Sequence, residues 1–209
     1  MLLALVTFSA LVVNGSGEPV DGVFVAPAEG RLASTGEDGR VAGTTQSPRL
    51  AFRKAEYRAV IVAPAEGILI VLERAGQAPL GPCASRRRDR TRFQLPGARG
   101  GARFRDIDYS GVAYSIKTAT GKHRLEHGYG PMWSQGAPVA RWLEQSTAYT
   151  ETTYAGDVSN ITAGRGTLPG GIHWRFLGMS GETISYATKD PAAARQFDAW
   201  LDRACLNPP

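Results

Sequence analysis

The densest group of side chains able to do chemistry in this 209-residue chain is His123-Arg124-Leu125-Glu126-His127. The pattern H-x-x-E-H is an inverted zinc-protease motif, in which two histidines ligate the metal and the glutamate serves as general base. That chemistry needs a helix, because only there do residues four apart sit about 6 Å from each other on one face. On a strand the same residues stand roughly 13 Å apart and cannot share one ion. Gly121 and Gly128 leave too short a stretch between them for a stable helix. The reading is therefore a strand carrying two partly exposed histidines, with neither a metal nor a cofactor expected.

Nucleophilic catalysis finds little footing. No G-x-S-x-G elbow occurs, Ser110-Gly111 and Ser180-Gly181 read as turns, and histidine is found only at 123, 127 and 173. Glu182, Asp198 and Asp202 read as solvated carboxylates at a strand start and on the outer side of a helix. A hydrolase would have to draw on His127, His173 and Glu182, which are scattered in sequence. Glycine patterns for phosphate or dinucleotide binding are missing.

Binding chemistry is better represented. The net charge of +5 has a local source: Arg86, Arg87, Arg88, Arg90, Arg92, Arg99, Arg103 and Arg105 stand against Asp89 alone in the window 86–105, and the remainder of the chain is slightly acidic. With Phe93, Phe104 and Tyr109 nearby, the segment has the ingredients of a nucleic-acid or other polyanion contact: guanidinium groups for phosphate and rings for stacking. Blocks of like charge are more often solvated linkers, so nucleic acid is disfavoured, and a glycan or a lipid headgroup fits as well. Tyr129 and Trp133 flank Gly130 and Pro131 and could form a sugar-stacking shelf, whereas Trp142 and Trp174 read as interior packing. The candidate ligand contacts are thus Tyr129, Trp133, Arg86, Arg87 and Arg88. Asn14-Gly15-Ser16 and Asn160-Ile161-Thr162 fit the glycosylation sequon.

The elements that would position these groups are mostly strands. Hydrophobic residues make up 43% of the chain and charged residues 21%, enough for real cores, and the 25 glycines and 13 prolines call for many turns. Strands are expected over 7–13, 23–26, 31–35, 40–45, 49–53, 57–62 and 67–73. The pair 31–35 and 40–45 reads as a hairpin about Asp38-Gly39, and 67–73, nearly all apolar, reads as a strand covered on both faces. Residues 75–82, rich in Gly and Pro, make a boundary. Beyond it, 92–95 alternates as an edge strand and 99–105 reads as an open loop. A hairpin is expected over 109–118 and 123–128, a short helix from Pro138, and strands over 148–154, 172–178 and 183–187, with a Gly-rich loop over 156–171. A final helix is capped by Asp190 with Pro191 at its first position. The length suits two compact units of about 100 residues.

Two stretches carry a family resemblance: Glu18-Pro19-Val20-Asp21-Gly22-Val23-Phe24-Val25, and Ser34-Thr35-Gly36-Glu37-Asp38-Gly39-Arg40-Val41. Over roughly residues 5–75 the chain resembles the carboxypeptidase regulatory-like domain, a small β-sandwich related to transthyretin. That family shows a G-x-P-V-x-G-A-x-V strand opening and a T-D-x-D-G hairpin. Here Val23 or Phe24 stands for the Ala, Gly36 for the first Asp, and Ala55-Glu56-Tyr57 where a Gly-Tyr pair is usual. The resemblance implies a transthyretin-like, non-catalytic scaffold. The second unit resembles no family of known activity.

The expected architecture is mainly β or α+β. A sandwich over 1–76 and an Arg-, Pro- and Gly-rich linker over 77–105 precede an antiparallel sheet with a C-terminal helix over 106–209. Cys83 and Cys205, the only cysteines, bracket that second unit, which suggests a disulfide and an oxidising compartment; the alternative is two unrelated buried thiols in the cytosol. The amino terminus lacks a basic n-region and runs straight into the first strand, so no signal peptide is evident, and no apolar run reaches the 18 residues of a membrane span. The function these features favour is a secreted, periplasmic or cell-surface binding protein whose partner is a surface protein or a glycan.

Overall fold

The structure, a computed structural model, describes residues 4–27, 32–76, 80–83, 93–106, 108–130, 138–155 and 159–207. Arg86, Arg87, Arg88 and Trp133 lie outside the described residues. The chain is mainly β and divides into two compact units, Met1–Gly76 with Glu151–Tyr154, and Gln77–Thr150 with Ala155–Pro209.

The first unit holds β1 (Val6–Asn14), β2 (Phe24–Ala26), β3 (Ala33–Ser34), β4 (Arg40–Thr45), β5 (Leu50–Arg53), β6 (Val60–Val62) and β7 (Ile68–Leu72). They form two sheets, ordered β4-β1-β7 and β3-β2-β5-β6, with β1 and β7 parallel. Phe8, Val12, Ile70 and Leu72 from one sheet and Val25, Leu50 and Phe52 from the other bury a single core, so the unit is a two-layer sandwich. Asn14 builds the first turn by accepting, at Oδ1, the backbone N–H groups of Ser16 and Glu18. Arg53 lays a fork on the buried Glu151 (Nε to Oε1 2.5 Å, Nη2 to Oε2 3.1 Å).

Two expectations for this unit are corrected. The turn at Asp38-Gly39 forms, with Gly39 at φ 70°, but β3 and β4 are not a hairpin pair and belong to different sheets. The buried Thr35 hydroxyl donates to the Val20 carbonyl and accepts from the Val23 N–H, which holds the end of β3 against the segment leading into β2 while β4 pairs with β1. Nor is β7 covered on both faces. It ends its sheet, and Leu69 and Val71 are 62% and 46% exposed opposite the buried Ile70 and Leu72.

The second unit holds β8 (Phe93–Gln94), β9 (Ala102–Arg105), β10 (Ser110–Thr118), β11 (Gly121–Tyr129), α1 (Pro138–Gln145), β12 (Ala148–Tyr154), β13 (Ile161–Leu168), β14 (Ile172–Met179), β15 (Glu182–Thr188), α2 (Pro191–Leu201) and β16 (Cys205–Leu206). The last four residues of β12 count with the first unit. A seven-stranded sheet runs β12-β13-β14-β15-β11-β10-β9, and β8 pairs with β16 as a separate ribbon. The helix α2 starts as its sequence requires: Asp190 accepts the N–H groups of Ala192 and Ala193, and Pro191 sits at the first turn. Its Ala193, Phe197, Trp200 and Leu201 bury against Leu125, Leu177, Met179, Ile184 and Tyr186 of the sheet.

Two stretches read as loops are strands. Residues 161–168 form β13, and their glycines are there for packing. A Cβ on Gly164 would lie 2.4 Å from the Phe176 ring, and one on Gly166 2.6 Å from that of Trp174, so each glycine is the space a cross-strand aromatic fills. Residues 102–105 form β9, the sheet's last strand, whose glycines precede it instead of interrupting it.

Cys83 and Cys205 form the disulfide, with Cα atoms 5.0 Å apart across a sequence separation of 122. Cys83 N–H donates to the Leu206 carbonyl and Leu206 N–H to that of Gly81, so the bridge fastens Gly81–Cys83 to β16 and, through β16, to β8. A loop this long predicts that the Cys83→Ser/Cys205→Ser variant loses about 4–5 kcal/mol. All four tryptophans (133, 142, 174 and 200) belong to the second unit, so tryptophan fluorescence during denaturant unfolding reads that unit alone. An unshifted midpoint would show that the bridge does not organise it.

Candidate functional site

Antiparallel register sorts the second unit's polar residues onto two faces of the sheet. Arg105 lies opposite Ser110, Ser110 opposite Tyr129, and Tyr129 opposite Glu182, while Arg103, Val112, His127 and Ile184 make the next row. Directly opposed residues share a face, so all eight side chains point the same way. This is the face α2 covers, but α2 stops short of it at the β9 end. What remains open, closed over by Phe93, Gln94 and Leu95, is a cavity of about 890 Å3. Arg103, Arg105, Ser110, Tyr114, His127 and Tyr129 line it.

His127, one of the lining residues, meets Glu182 beneath the cavity, Nε2 to Oε1 2.6 Å, and both are buried. The carboxylate also accepts the Phe93 N–H, at 3.2 and 3.3 Å from its two oxygens. Glu182 reaches this place because Gly181, at φ 78°, turns the chain tightly into β15. The expectation of a solvated Glu182 is therefore wrong, as is that of an exposed His127. A buried carboxylate must be hydrogen-bonded, and a histidine ring and a backbone amide serve it here. The Tyr129 ring packs on that of His127 with centroids 5.2 Å apart. Arg103 and Arg105 are exposed, and neither forms an ion pair among the described residues.

The remaining candidates do not join this group. His123 and His127 lie on one strand, too far apart to hold one ion between them. His123 turns to another cluster: its Nδ1 lies 3.0 Å from the Thr188 hydroxyl and its Nε2 3.3 Å from the Asp190 carboxylate. Hydrogen bonds from Thr118, then Thr120 and the helix amides, hold the Asp190 carboxyl well below the usual range. His173 is exposed on β14 opposite Thr188, two residue pairs beyond Arg175 and Tyr186, so His127, His173 and Glu182 do not converge. Asp198 and Asp202 bind Arg175 at 3.0 and 2.6 Å. Trp174 is interior as expected, with its Nε1 donating to Ser146, and Trp142 packs 6.2 Å from it.

Of the predicted ligand contacts, Tyr129 lines the cavity, while Arg86, Arg87, Arg88 and Trp133 lie outside the described residues. Sequence reasoning missed Gln94 and Ser110, and it counted Arg103 and Arg105 in the basic segment but read them as part of a loop. The signal was the two-residue alternation Ala102-Arg103-Phe104-Arg105, masked by Gly100-Gly101 just before it. No family model and no curated protein matches the chain.

The opposite face beneath β11 is polar and closed. The hydroxyls of Tyr109, Thr183 and Ser185 are buried without a hydrogen-bond partner among the described residues, and a side chain at Gly128 would run into the Tyr109 ring. Burial pushes the Glu126 carboxyl up, against the opposing pull of Arg124, whose Nε lies 2.9 Å away. A carboxyl with a raised folded-state pKa costs nothing while both states are protonated. It destabilises the fold as pH rises from the ordinary glutamate value through the raised one. Glu126→Gln should therefore be more stable than the parent at neutral pH and lack the fall in stability that the parent shows above about pH 4.5. Thermal midpoints across that range check it, and superimposed profiles would show that Glu126 carries no burial cost.

Proposed function

We propose that the chain is a non-catalytic binding protein working outside the cytosol, with the first unit as scaffold and the cavity of the second as the site for an anionic ligand. The observation that carries this reading is the placement of Arg103 and Arg105, two exposed cations without ion partners among the described residues, on the same face and in the same cavity as Tyr129. Arg103 and Arg105 at the end of the arginine-rich segment and Tyr129, separate in sequence, thus share one cavity. A cavity of this size admits one or two sugar rings or a short peptide. The partner is a surface protein or a glycan bearing carboxylate or sulfate groups, and nucleic acid stays disfavoured.

The extracytoplasmic setting is supported by the Cys83–Cys205 disulfide. Among the described residues no helix is long and apolar enough to cross a membrane. The scaffold reading rests on the resemblance to the carboxypeptidase regulatory-like domain. One backbone detail supports it: Glu56, where that family usually carries Gly, is at φ 72°, a conformation that favours glycine.

A second reading, a hydrolase, is favoured by the 2.6 Å contact between His127 and Glu182. It is the weaker of the two. Both groups are buried, the carboxylate also serves the Phe93 amide, and His173 stands elsewhere on the sheet, so the pair is accounted for as architecture.

Calorimetric titration with a sulfated oligosaccharide and its neutral counterpart tests the binding reading. Arg103→Ala and Arg105→Ala should each cost about 0.5–1 kcal/mol of affinity for the sulfated probe at low salt, as rim charges do, and the loss should shrink towards 1 M salt. Tyr129→Ala should cost about 0.5–1.5 kcal/mol nearly independently of salt, because stacking is short-ranged. Folded arginine variants that bind like the parent at every salt concentration would remove the anionic site.

A further inference from the structure

The cavity has a feature that its side chains alone do not reveal: one of its walls is a strand edge. β9 is the last strand of the seven-stranded sheet, and no described strand pairs with its outer side. Its register fixes which main-chain groups face outward. The Asp106 N–H donates to the Tyr109 carbonyl at 2.7 Å, which makes 106 and 109 a hydrogen-bonded pair. Since hydrogen-bonded and non-hydrogen-bonded pairs alternate along an antiparallel ladder, 105 with 110 and 103 with 112 are non-hydrogen-bonded pairs. The N–H and C=O groups of Arg103 and Arg105 therefore point away from β10, while Phe104 uses its own within the sheet. The two arginines that line the cavity are the two whose outward backbone groups meet no described strand.

Resting on the reading of the cavity as an anionic-ligand site, we propose that its ligand is an extended acidic peptide segment that adds to β9 as an eighth strand. The geometry selects this ligand over an anionic glycan. Arg103 and Arg105 recur at the strand period of about 7 Å, which is the spacing of acidic side chains two residues apart in an added strand, so charges match in register without adjustment. Such a strand also satisfies the four open backbone groups, which a sugar's scattered hydroxyls do not. Charge decides against a second copy of this chain, because two β9 edges laid together would bring four guanidinium groups onto one seam. The residues between the acidic ones fall on the other face of the sheet, beside the half-buried Phe104, so the segment alternates acidic residues with apolar ones.

The experiment titrates the full chain with three probes: an acetylated, amidated octapeptide of alternating Glu and Val, the same peptide N-methylated at alternate amides, and a tetrasaccharide containing uronic acids. The expected result is that the plain peptide binds and slows hydrogen exchange at the Arg103 and Arg105 amides, while N-methylation weakens it about tenfold or more by removing at least two backbone hydrogen bonds. The Arg103→Glu/Arg105→Glu variant, with an unchanged circular dichroism spectrum, should lose that peptide and bind the Lys-Val counterpart instead. Equal binding of the methylated and plain peptides, or tighter binding of the tetrasaccharide, would overturn strand addition and leave the anionic site standing. Failure of all three probes to bind the folded parent would overturn the anionic site, and strand addition with it.

Discussion

The carboxylate of Glu182 cannot sit inside the second unit without donors, and meeting that need arranges much of what surrounds it. A buried carboxylate left unpaired costs several kcal/mol, so donors such as His127 Nε2 and the Phe93 N–H are structural requirements of the fold. The histidine comes from the sheet itself. The amide does not: it belongs to β8, which among the described residues is in strand pairing with β16 and with no strand of that sheet. Something must hold β8 over Glu182, and two residues of pairing are too few to do so alone. The disulfide, by tying Gly81–Cys83 to β16, the partner of β8, supplies the hold. The cavity's upper wall, Phe93 to Leu95, is therefore a consequence of a carboxylate's hydrogen-bonding needs and a covalent staple.

How much of this was legible in the sequence depends on how local the cause is. The cap at Asp190 with Pro191, the turns at Asn14 and Gly39, and the strand character of the H-x-x-E-H stretch all follow from contacts within a few residues, and they could be read directly. The glycines of β13 could not. In sequence they signal a loop, and their actual role is to receive rings from Trp174 and Phe176 on the next strand, a pairing that exists only once the sheet has formed. Likewise the apolar run of β7 gave no sign that one of its faces would be left uncovered, because that depends on where the strand falls in the sheet order.

The site shows the same division. Tyr129 was visible as an aromatic residue beside Gly130 and Pro131, and the arginine segment as a concentration of charge. That the two meet depends on β9 being a strand at all. Once 102–105 pairs with β10, alternation alone carries Arg103 and Arg105 to the face of Tyr129 and turns Phe104 to the other, where its ring stacks under Arg124. His127 and Glu182 are 55 residues apart in sequence. No local pattern joins them, and only the register of β11 with β15 places them on diagonal positions of adjacent strands.

The cavity's position follows from lengths. β10 and β11, at nine residues each, run about 30 Å, whereas α2, at eleven residues, spans about 16 Å. Even laid along the strands, the helix can cover only about half of the face. The apolar residues under it, Leu125, Ile184, Leu177 and Tyr186, mark that half, and the polar row of Arg105, Ser110, Tyr129 and Glu182 marks the other. A two-strand ribbon is too narrow to seal what the helix leaves, so it closes over Glu182 at the sheet's centre and stops before the β9 edge. The uncovered remainder is bounded by the ribbon on one side and by the open backbone of β9 on the other. It is polar because no apolar layer was ever available to cover it, and it carries the exposed Arg103 and Arg105 because an edge strand facing water tolerates charge where a central strand does not.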